Sequence, residues 1–464
     1  MSQSSVHLSI LKDFIQTRLP YVRLVTPSSP EYAAARSTFC LSNATIPLAI
    51  VKPATIADVS ALISFTTDHQ IPFAVRCGGY SYLGSEFSSS ALAIDLRCLA
   101  SIRVSPSRHC AVIGGGVLQG DLVRELSSEG LMTPVVAIPS MGYAGWAMYG
   151  GYGPFSAAYG LGVDQIIGVK VVDSDGEIRD SDVEGEDGLL RAVRGGGGVL
   201  GIIVELRIKV YSLQKILAGK IVFESEDISK TVEIFNSRFR ELSTRGLPLQ
   251  LTVQQTIFPS SQGQVFVAQF MWASEDIETG RQLLAHIESL APASQSEVVH
   301  TTISQWMDFN TGVPTSGYGK PLTINLRSIT PQIATVLARN SKRLPGDCLG
   351  FSMQELRGIS TKTDLTAVFG AREPHFMLEI LPIVSDMKNL EDANRWGENF
   401  LGEVKRTSPE NILEGTYISS TRQSELSLSK IYGPNYGNLL ELKWMYDPND
   451  VFNLAIPKLI DKAL

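Results

Sequence analysis

Hydrophobic positions in the first half of the chain alternate between two periods, one typical of strands and one typical of helices. Short apolar runs predict four strands, at residues 71–75, 91–96, 110–113 and 167–172. Between such runs, apolar residues recur at helical spacing from Ile56, behind the capping-box pair Thr55 and Asp58. A turn signal, Asp-Ser-Asp-Gly at residues 173–176, predicts a hairpin after the last strand. Residues 47–212 are therefore expected to alternate short strands with helices.

The pattern changes near Leu213. Residues 249–258 and 264–272 partly alternate polar with apolar side chains and predict strands. Helices are predicted at residues 228–239 and 277–290. Elements in this order are typical of an antiparallel sheet covered by helices.

Composition narrows the class of protein. A chain of 464 residues is long for a single core, so two domains are expected. The net charge of −7 argues against a surface that binds nucleic acid or an anionic membrane. No apolar run is long enough to span a bilayer. The five cysteines form no C-x-x-C pair and no two histidines have metal-ligand spacing, so no metal site is expected.

The start of the chain bears on localisation. Residues 1–4 carry neither the basic nor the apolar region of a signal peptide, which predicts a cytoplasmic protein. Secretion is the alternative if the chain has been trimmed at its start. A sequon at Asn43 is weak support for that alternative.

Four glycine-rich segments are the candidates for ligand binding. The first, V-R-C-G-G-Y-S-Y-L-G at residues 75–84, follows a predicted strand, and its adjacent glycines let backbone N–H groups converge on an anion. The others are G-G-G at residues 114–116, P-S-M-G-Y-A-G-W-A-M-Y-G-G-Y-G at residues 139–153, and L-R-A-V-R-G-G-G-G-V-L-G-I-I at residues 190–203. A single G-G pair would be consistent with a turn that binds nothing. No G-x-G-x-x-G opens a βαβ unit, which disfavours a Rossmann site.

Together these segments closely resemble the berberine bridge enzyme-like FAD-linked oxidoreductases of the vanillyl-alcohol oxidase / p-cresol methylhydroxylase superfamily. Y-G-P-N-Y at residues 432–436 and Y-D-P-N-D-V-F at residues 446–452 are similar to C-terminal motifs of the same family. The third glycine segment looks most like fungal members of secondary metabolism. The resemblance implies an α+β, two-domain vanillyl-alcohol oxidase-type fold. Residues 1–212 and 425–464 would form the FAD-binding domain, and residues 213–424 an inserted antiparallel-sheet substrate-binding domain.

The resemblance also implies FAD as the cofactor. In the family the first loop holds the FAD pyrophosphate, and the later glycines lie along the flavin, where side chains would collide with it. The residues of this chain at the corresponding cofactor-binding positions are Arg76, Cys77, Gly78, Gly79, Tyr80, Ser81, Gly84, Gly115, Ser140, Gly142, Gly145, Tyr149, Gly150, Gly153, Asp164, Gly198, Ile203 and Asn435.

Three departures from the family pattern concern the flavin. Tyr80 stands where the family has a histidine bonded to the flavin, and Ile138 stands where it has a second attachment residue, a cysteine. The resemblance therefore implies noncovalently held FAD, with a covalent link through Tyr80 as the alternative. Tyr149 replaces the first glycine of a G-G-G motif.

Three residues are candidates for catalysis. Tyr143 takes a position that controls oxygen access to the flavin in the family, and its bulk argues against fast reaction with oxygen. Tyr417 survives from the family's Y-x-N-Y-x-D segment; it is either an acid, base or hydrogen-bond donor, or a packing residue. Glu379 shares a predicted strand face with Met377 and Leu381; it is either a base with a raised pKa or a solvated or salt-bridged carboxylate.

We therefore expect an FAD-dependent oxidoreductase of the oxidase type, which oxidises a small organic secondary metabolite by hydride transfer to flavin N5. Molecular oxygen is the candidate electron acceptor. The alternative is a flavin-containing, non-redox cyclase, which needs an oriented substrate and a donor to its carbonyl but no flavin turnover. A flavin-binding protein without catalysis is the third hypothesis. The sequence discloses neither the substrate nor the oligomeric state.

Overall fold

A computed structural model of the protein describes residues 3–41, 46–82, 91–185, 188–260, 263–309, 314, 316–421 and 426–460. Its helices are α1 (Gln3–Arg18), α2 (Tyr32–Ala35), α3 (Ile56–Asp68), α4 (Gln119–Ser128), α5 (Tyr143–Ala147), α6 (Ser156–Tyr159), α7 (Gly162–Gln165), α8 (Leu189–Gly196), α9 (Ile228–Thr244), α10 (Ile277–Glu288), α11 (Ile303–Phe309), α12 (Pro331–Lys342), α13 (Leu390–Thr407), α14 (Leu428–Tyr432) and α15 (Tyr436–Tyr446). Its strands are β1 (Arg23–Val25), β2 (Ala49–Lys52), β3 (Phe73–Arg76), β4 (Leu92–Asp95), β5 (Ile102–Val104), β6 (Cys110–Gly114), β7 (Leu131–Met132), β8 (Ile166–Val172), β9 (Ile178–Asp182), β10 (Ile202–Lys209), β11 (Tyr211–Ser212), β12 (Lys215–Phe223), β13 (Leu251–Ser260), β14 (Gly263–Trp272), β15 (Ala293–Ser296), β16 (Val299–Thr302), β17 (Leu322–Leu326), β18 (Gly350–Leu356) and β19 (His375–Leu381).

The first sheet is small and mixed, in the order β1-β2-β4-β3. Strands β2, β4 and β3 are parallel, and β1 pairs antiparallel with β2. Helix α3 begins after the predicted capping box, which is confirmed: the Asp58 N–H donates to the Thr55 hydroxyl at 3.2 Å, and the Thr55 N–H donates to the Asp58 carboxylate at 2.8 Å. Because β3 ends at Arg76, the first glycine segment leaves the edge of this sheet directly.

The second sheet is antiparallel, in the order β5-β6-β10-β8-β9. The predicted hairpin joins β8 to β9, and the Asp173 N–H donates to the Glu177 carbonyl at 3.0 Å. Strand β10 follows the fourth glycine segment, whose chain is bent at Gly195 and Gly197, with φ of +127° and +68°. These are backbone conformations that L side chains rarely adopt, so glycine is needed at both positions.

The third sheet is large and antiparallel, in the order β15-β12-β14-β13-β18-β19-β17, with β16 also paired to β12. One of its faces packs against α9, α12 and α13. Phe235 of α9 lies between Phe223 and Phe266 of the sheet, with ring centroids 5.1 and 4.9 Å away. An antiparallel sheet covered by helices, as the sequence predicts after Leu213, is therefore present.

The C-terminal segment returns to the first two sheets. The Phe452 ring meets Phe73 edge-on, with centroids 5.8 Å apart. The Ser174 hydroxyl donates to the Tyr446 carbonyl at 3.0 Å. The domain boundaries at residues 212 and 424 stay a prediction. Within the described ranges, every helix is too short or too polar to cross a membrane.

Candidate active site

A large cavity of about 710 Å³ is lined by residues of the three sheets described above. Its volume is in the range of sites for small molecules and cofactors. One end is lined by the first glycine segment, and the opposite wall is the face of the large sheet that the helices leave open. The predicted cofactor-binding and catalytic residues that line it are Arg76, Cys77, Gly78, Gly79, Tyr80, Ser81, Gly115, Gly142, Gly145, Tyr149, Gly153, Gly198, Ile203, Glu379 and Tyr417.

Close backbone packing explains part of the glycine content. A Cβ added to Gly78 would lie 2.3 Å from the Gly142 nitrogen, so two glycine segments meet backbone to backbone here. A Cβ added to Gly115 would lie 2.1 Å from the Ile203 carbonyl oxygen. Glycines at these positions therefore serve the packing of the cavity wall, whether or not a ligand is bound.

Gly145 and Gly198 need a different explanation. Both line the cavity, and a Cβ added to either would meet no protein atom within 4 Å. Gly145 lies in a helical turn, where alanine would be the more stable residue by about 1 kcal/mol. At Gly145 and Gly198 the cavity wall therefore carries no side chain, and no other protein atom fills the space beside them. This is the space that a flat, closely packed cofactor requires, so the site fits FAD.

The positive end of the cavity is formed by Arg76. Two of its guanidinium nitrogens donate to the carbonyls of Ala35 and Ser37. Its Nε is buried and has no protein partner among the described residues. A buried, unpaired N–H donor in a residue that lines the cavity is suited to bind an anionic group, such as the pyrophosphate of FAD.

Tyr80 is held by its surroundings. Its hydroxyl lies 2.6 Å from the Ser140 hydroxyl, and its ring stacks on Phe39 with centroids 5.0 Å apart. Ser140 is therefore a partner of Tyr80, and it does not itself line the cavity. Ile138, which replaces the family's attachment cysteine, does line it. The hydroxyl of Tyr80 is thus already engaged by protein.

The structure places Tyr143 in the core and not on the cavity wall. Its side chain is fully buried, its hydroxyl lies 3.4 Å from the Thr133 hydroxyl, and its ring packs on Trp146. Helix α5 begins at this residue and turns it away from the cavity, so Ala144 and Gly145 line the wall instead. Control of oxygen access by Tyr143 stays a prediction, and it would have to act from behind this wall.

Three predicted cofactor contacts are also structural residues and lie outside the cavity. The Asp164 carboxylate accepts the Leu161 N–H at 2.8 Å and pairs with Arg372 at 2.5 Å. The Asn435 side chain accepts from Arg191 at 2.9 Å. Gly150 has a φ of +125° and packs against Phe369. Gly84, which was also predicted to bind FAD, lies outside the described residues.

The open face of the large sheet is a row of polar side chains. Thr252, Gln254 and Thr256 alternate along β13 and line the cavity, and Gln254 pairs in register with Gln269 of β14. The Gln254 amide donates to the Ser352 hydroxyl at 2.9 Å. Hydrogen bonding therefore runs across the sheet towards β19.

This row ends at Glu379. Its carboxylate accepts from the Ser352 and Ser420 hydroxyls at 3.3 and 3.4 Å and from the Gln354 amide at 3.4 Å. The residue is partly exposed, but it faces the cavity and not the outer surface. Burial raises its pKa, and hydrogen bonds from Ser352, Ser420 and Gln354 oppose the shift only in part. The alternative of a salt-bridged Glu379 finds no support among the described residues.

Tyr417 and Ser419 lie beside this carboxyl group. The Tyr417 ring is 4.9 Å from that of Tyr152, and burial raises the pKa of its phenol, so it is a proton donor at neutral pH. Ser419 lines the cavity, and its buried hydroxyl lies beside the Tyr417 phenol, whose pKa it lowers in part. His375 is structural, since its Nδ1 lies 2.6 Å from the Glu373 carbonyl.

Sequence reasoning missed Tyr82, Tyr152, Gln254, Ser352 and Gln354, all of which line the cavity. The two tyrosines stand inside the glycine motifs and were given no role. The others stand on strands whose side chains alternate between polar and apolar, and this alternation predicts a polar strand face but not that the face lines a cavity.

Comparisons with known proteins agree with this site. A family model described as FAD binding domain matches residues 47–182, and one described as berberine and berberine like matches residues 427–456. FAD-linked oxidoreductase aurO of Gibberella zeae is 28% identical over 94% of this chain and 85% of its own length. (R)-6-hydroxynicotine oxidase of Paenarthrobacter nicotinovorans is 33% identical over 38% of this chain and 39% of its own length.

The fold matches that of solved flavoproteins. Wild-type BBE-like 1 of Physcomitrella patens superposes with a TM-score of 0.83 at 19% identity, covering 95% of this chain and 97% of that chain. The α+β, two-domain vanillyl-alcohol oxidase-type fold is thereby confirmed. The chain is similar to the berberine bridge enzyme-like FAD-linked oxidoreductases, both in its FAD-binding segment and in its C-terminal motif. It is an FAD-dependent oxidoreductase that acts on a small molecule, as the sequence predicts.

The empty space beside Gly198 gives a first testable prediction. Gly198→Leu should weaken FAD binding by at least about tenfold, because its side chain would enter the space that the cofactor needs. The measurement is titration of the apoprotein with FAD. Gly437→Leu is the matched control, since a Cβ there also meets nothing within 4 Å but Gly437 is exposed on α15. Equal FAD affinity in the two variants would show that the cofactor does not approach Gly198.

Proposed function

We propose that this protein oxidises a small organic substrate by hydride transfer to N5 of noncovalently held FAD. Residues 76–81, Gly115, Gly145, Gly198 and Ile203 would hold the cofactor, which supplies a two-electron acceptor when bound. The observation that carries the proposal is a carboxyl group, Glu379, that faces the cavity with a raised pKa and no ion-pair partner among the described residues.

The substrate must lose a proton as well as a hydride when an alcohol or amine is oxidised. Glu379 is suited to take this proton, because burial raises its pKa and so makes its carboxylate a stronger base than an ordinary glutamate. Its carboxylate is oriented from three sides by Ser352, Gln354 and Ser420. The hydroxyls of Tyr417 and Ser419, which both line the cavity, would hold the oxygen or nitrogen of the substrate beside it.

Noncovalent attachment is tested by acid precipitation. The Tyr80 hydroxyl already forms a hydrogen bond with the Ser140 hydroxyl. We therefore expect the yellow colour of the purified protein to pass entirely to the supernatant. Tyr80→Phe should then leave both the FAD affinity and the result of precipitation nearly unchanged, because the hydrogen bond that it removes joins two protein side chains. Colour retained in the wild-type pellet but released from Tyr80→Phe would mean a covalent link through Tyr80.

Redox function is tested by mixing the holoprotein anaerobically with a panel of one- to three-ring alcohols, phenols and amines. We expect at least one compound to bleach the visible flavin band, and admission of air to restore it if molecular oxygen is the electron acceptor. A secondary metabolite is the proposed natural substrate, on the resemblance of the third glycine segment to fungal members of the family. A flavin that no compound reduces would oppose the proposal.

A non-redox cyclase is the second candidate. The protonated Tyr417 favours it, because a buried phenol beside a cavity can polarise a substrate carbonyl without any flavin turnover. A cyclised product formed while the flavin stays oxidised would identify this activity. Reduction of the flavin by the same substrate would exclude it.

A further inference from the structure

The chain that follows α15 forms part of the cavity wall without regular secondary structure. Phe452, Leu454, Ala455 and Ile456 line the cavity. Residues 451–460 consist of turns and bends and contain neither helix nor strand. No helix or sheet therefore pairs the backbone groups of this stretch. Contacts with other elements have to hold this part of the wall in place.

One hydrogen bond ties the middle of this stretch to another element. In the part of the chain that the structure describes, residues 453–457 receive that bond from Tyr149, whose hydroxyl donates to the Ile456 carbonyl. Their other hydrogen bonds are local; the Ala455 N–H, for example, donates to the Phe452 carbonyl at 3.0 Å. Apolar packing adds to the contact but has no preferred direction, so the Tyr149 bond is what fixes the position of this wall.

The ring of Tyr149 lies against the fourth glycine segment. A Cβ added to Gly197 would meet its Cε1 at 2.3 Å, so the ring rests directly on the Gly197 backbone. The Gly195 N–H donates to the Met148 carbonyl at 2.9 Å and joins the same two segments through the backbone. Gly198, the next residue along, borders the open space that suits FAD. Tyr149 therefore connects two glycine segments with the C-terminal wall at the cofactor end of the cavity.

Glycine could make neither contact. Tyr149 stands where the similar family has the first glycine of a G-G-G motif. Glycine has no ring to rest on Gly197 and no O–H group to donate to the Ile456 carbonyl. The same chain has Tyr80 and Ile138 in place of both flavin-attachment residues of that family. The side chain that holds the wall is thus present in a chain for which noncovalent retention of FAD is proposed.

We propose that Tyr149 is a positioning residue, which holds the C-terminal wall through the Ile456 carbonyl and thereby slows the release of FAD. It acts on the wall and not by a bond to the cofactor. The Tyr80 hydrogen bond has no such role, because the two segments that it joins already meet backbone to backbone at Gly78 and Gly142. The role of Tyr149 deepens the noncovalent attachment proposed above and rests on it.

The rate of FAD release tests this role without turnover. The FAD-loaded protein is diluted into buffer without FAD, and FAD in the ultrafiltrate is measured over time. Tyr149→Phe keeps the ring on Gly197 and removes only the hydroxyl. We expect it to release FAD about 3- to 10-fold faster than the wild type, the effect of one lost hydrogen bond. Tyr149→Gly also removes the ring and should release FAD at least as fast as Tyr149→Phe.

Tyr432→Phe is the matched control. The Tyr432 hydroxyl is buried and donates to the Gly195 carbonyl at 3.1 Å, so this variant also removes one phenol–carbonyl bond from the fourth glycine segment. Tyr432 lies outside the described lining of the cavity and does not contact the C-terminal wall through this bond. The control should release FAD at the wild-type rate.

Hydrogen exchange distinguishes positioning of the wall from a general loss of stability. In FAD-loaded Tyr149→Phe, peptides that cover residues 451–457 should exchange faster than in the wild type, because the wall opens more often. Peptides that cover α3, which packs in a different core, should exchange as in the wild type. Exchange that rises equally in both regions would indicate a general structural role and would contradict the proposal.

The outcomes separate this role from noncovalent attachment itself. If FAD passes to the supernatant on acid precipitation but wild type and Tyr149→Phe release it equally fast, only the role of Tyr149 is wrong. Equal acceleration in Tyr149→Phe and Tyr432→Phe, or faster release without faster exchange at residues 451–457, would also overturn that role. FAD that stays in the wild-type pellet would remove noncovalent attachment and the role of Tyr149 together.

Discussion

Glu379→Gln is expected to lower kcat by about 10²- to 10⁴-fold while FAD remains bound, which is the range for loss of a general base. Glutamine fills the same volume and can still accept from Ser352 or Ser420, so the sheet around it should stay intact. It cannot take a proton. The measurement is the rate of anaerobic flavin reduction by whichever compound reduces the wild-type flavin, followed in a stopped-flow instrument.

The rate of flavin reduction should depend on pH in a definite direction. Burial raises the pKa of Glu379, so its carboxylate is protonated, and inactive as a base, up to a higher pH than an ordinary glutamate. The wild-type rate should therefore fall as pH decreases through this raised pKa. The variant should lack that limb of the profile. If the variant were slow but its rate still fell with decreasing pH in the same way, the group that titrates would be another residue.

Glu379→Gln should lower activity without lowering the stability of the fold. The folded protein binds the Glu379 proton more tightly than the unfolded chain does, so the ionised group lowers the free energy of unfolding above its raised pKa. Glu379→Gln should therefore have an unchanged or higher Tm at neutral pH. A variant that is both slow and much less stable would point to a structural role for Glu379.

Ser420→Ala is the companion variant, because it removes one of the 3.4 Å hydrogen bonds to Glu379 and leaves the carboxyl group in place. That hydrogen bond lowers the pKa of Glu379, so its loss should shift the limb of the pH profile to higher pH. The rate at high pH should stay within about tenfold of the wild type, since one weak bond contributes about 1 kcal/mol.

Motif resemblance located much of the FAD side. Gly78 and Gly115 occupy points where backbone meets backbone, and their neighbours there, Gly142 and Ile203, are far along the chain. The resemblance of the glycine segments to a known family therefore located these glycines, and local sequence could not show what they contact. The capping box at Thr55 and the hairpin at residues 173–176 are predictable from local sequence alone, because their hydrogen bonds join residues a few positions apart.

Several predicted site residues lie away from the cavity, because the direction of a side chain depends on the fold and not on its position in a motif. Tyr143 and Ala144 are neighbours in the third glycine segment, but α5 turns the first into the core and the second towards the cavity. Asp164 belongs to a recognisable motif, yet it serves a helix start and an ion pair with Arg372. A motif fixes which residues lie near a cofactor, and only the fold decides which of them face it.

The substrate wall could not have been read from the sequence. Thr252 and Gln254 alternate with buried residues along β13, as they would if that face of the sheet were in water. What encloses them is the FAD-binding domain, which is far away along the chain. Polar alternation therefore predicts the strand and its two faces, but it cannot distinguish a cavity from the outer surface.

Lys443→Met is expected to destabilise the protein by about 3–5 kcal/mol, the usual result of removing one partner from a buried ion pair. The Lys443 ammonium group is 3% exposed and pairs with Asp447 at 2.5 Å and Asp450 at 3.1 Å. It also donates to the Val199 carbonyl at 3.0 Å, which ties α15 to the fourth glycine segment. Methionine would leave two carboxylates beneath the surface without a cation. Chemical unfolding of the apoprotein measures the loss.

The same variant should weaken FAD binding, although Lys443 does not touch the cavity. The Asp447 carboxylate accepts the N–H groups of Val451 and Phe452 at 2.7 and 3.0 Å and so sets the direction of the last segment. Phe452 and Ile456 line the cavity, and the Ile456 carbonyl accepts from the Tyr149 hydroxyl. Displacing Asp447 would therefore loosen one wall of the FAD site.

Two further variants separate this network from a general effect of charge. Lys430→Met removes a solvent-exposed partner of Glu414 and should cost at most about 1 kcal/mol. Adding Asp447→Asn to Lys443→Met removes one of the stranded carboxylates and should recover part of the lost stability, because an uncompensated buried charge is the main cost. If Lys443→Met and Lys430→Met were equally stable, the buried network would not be what holds the C-terminal segment against the FAD site.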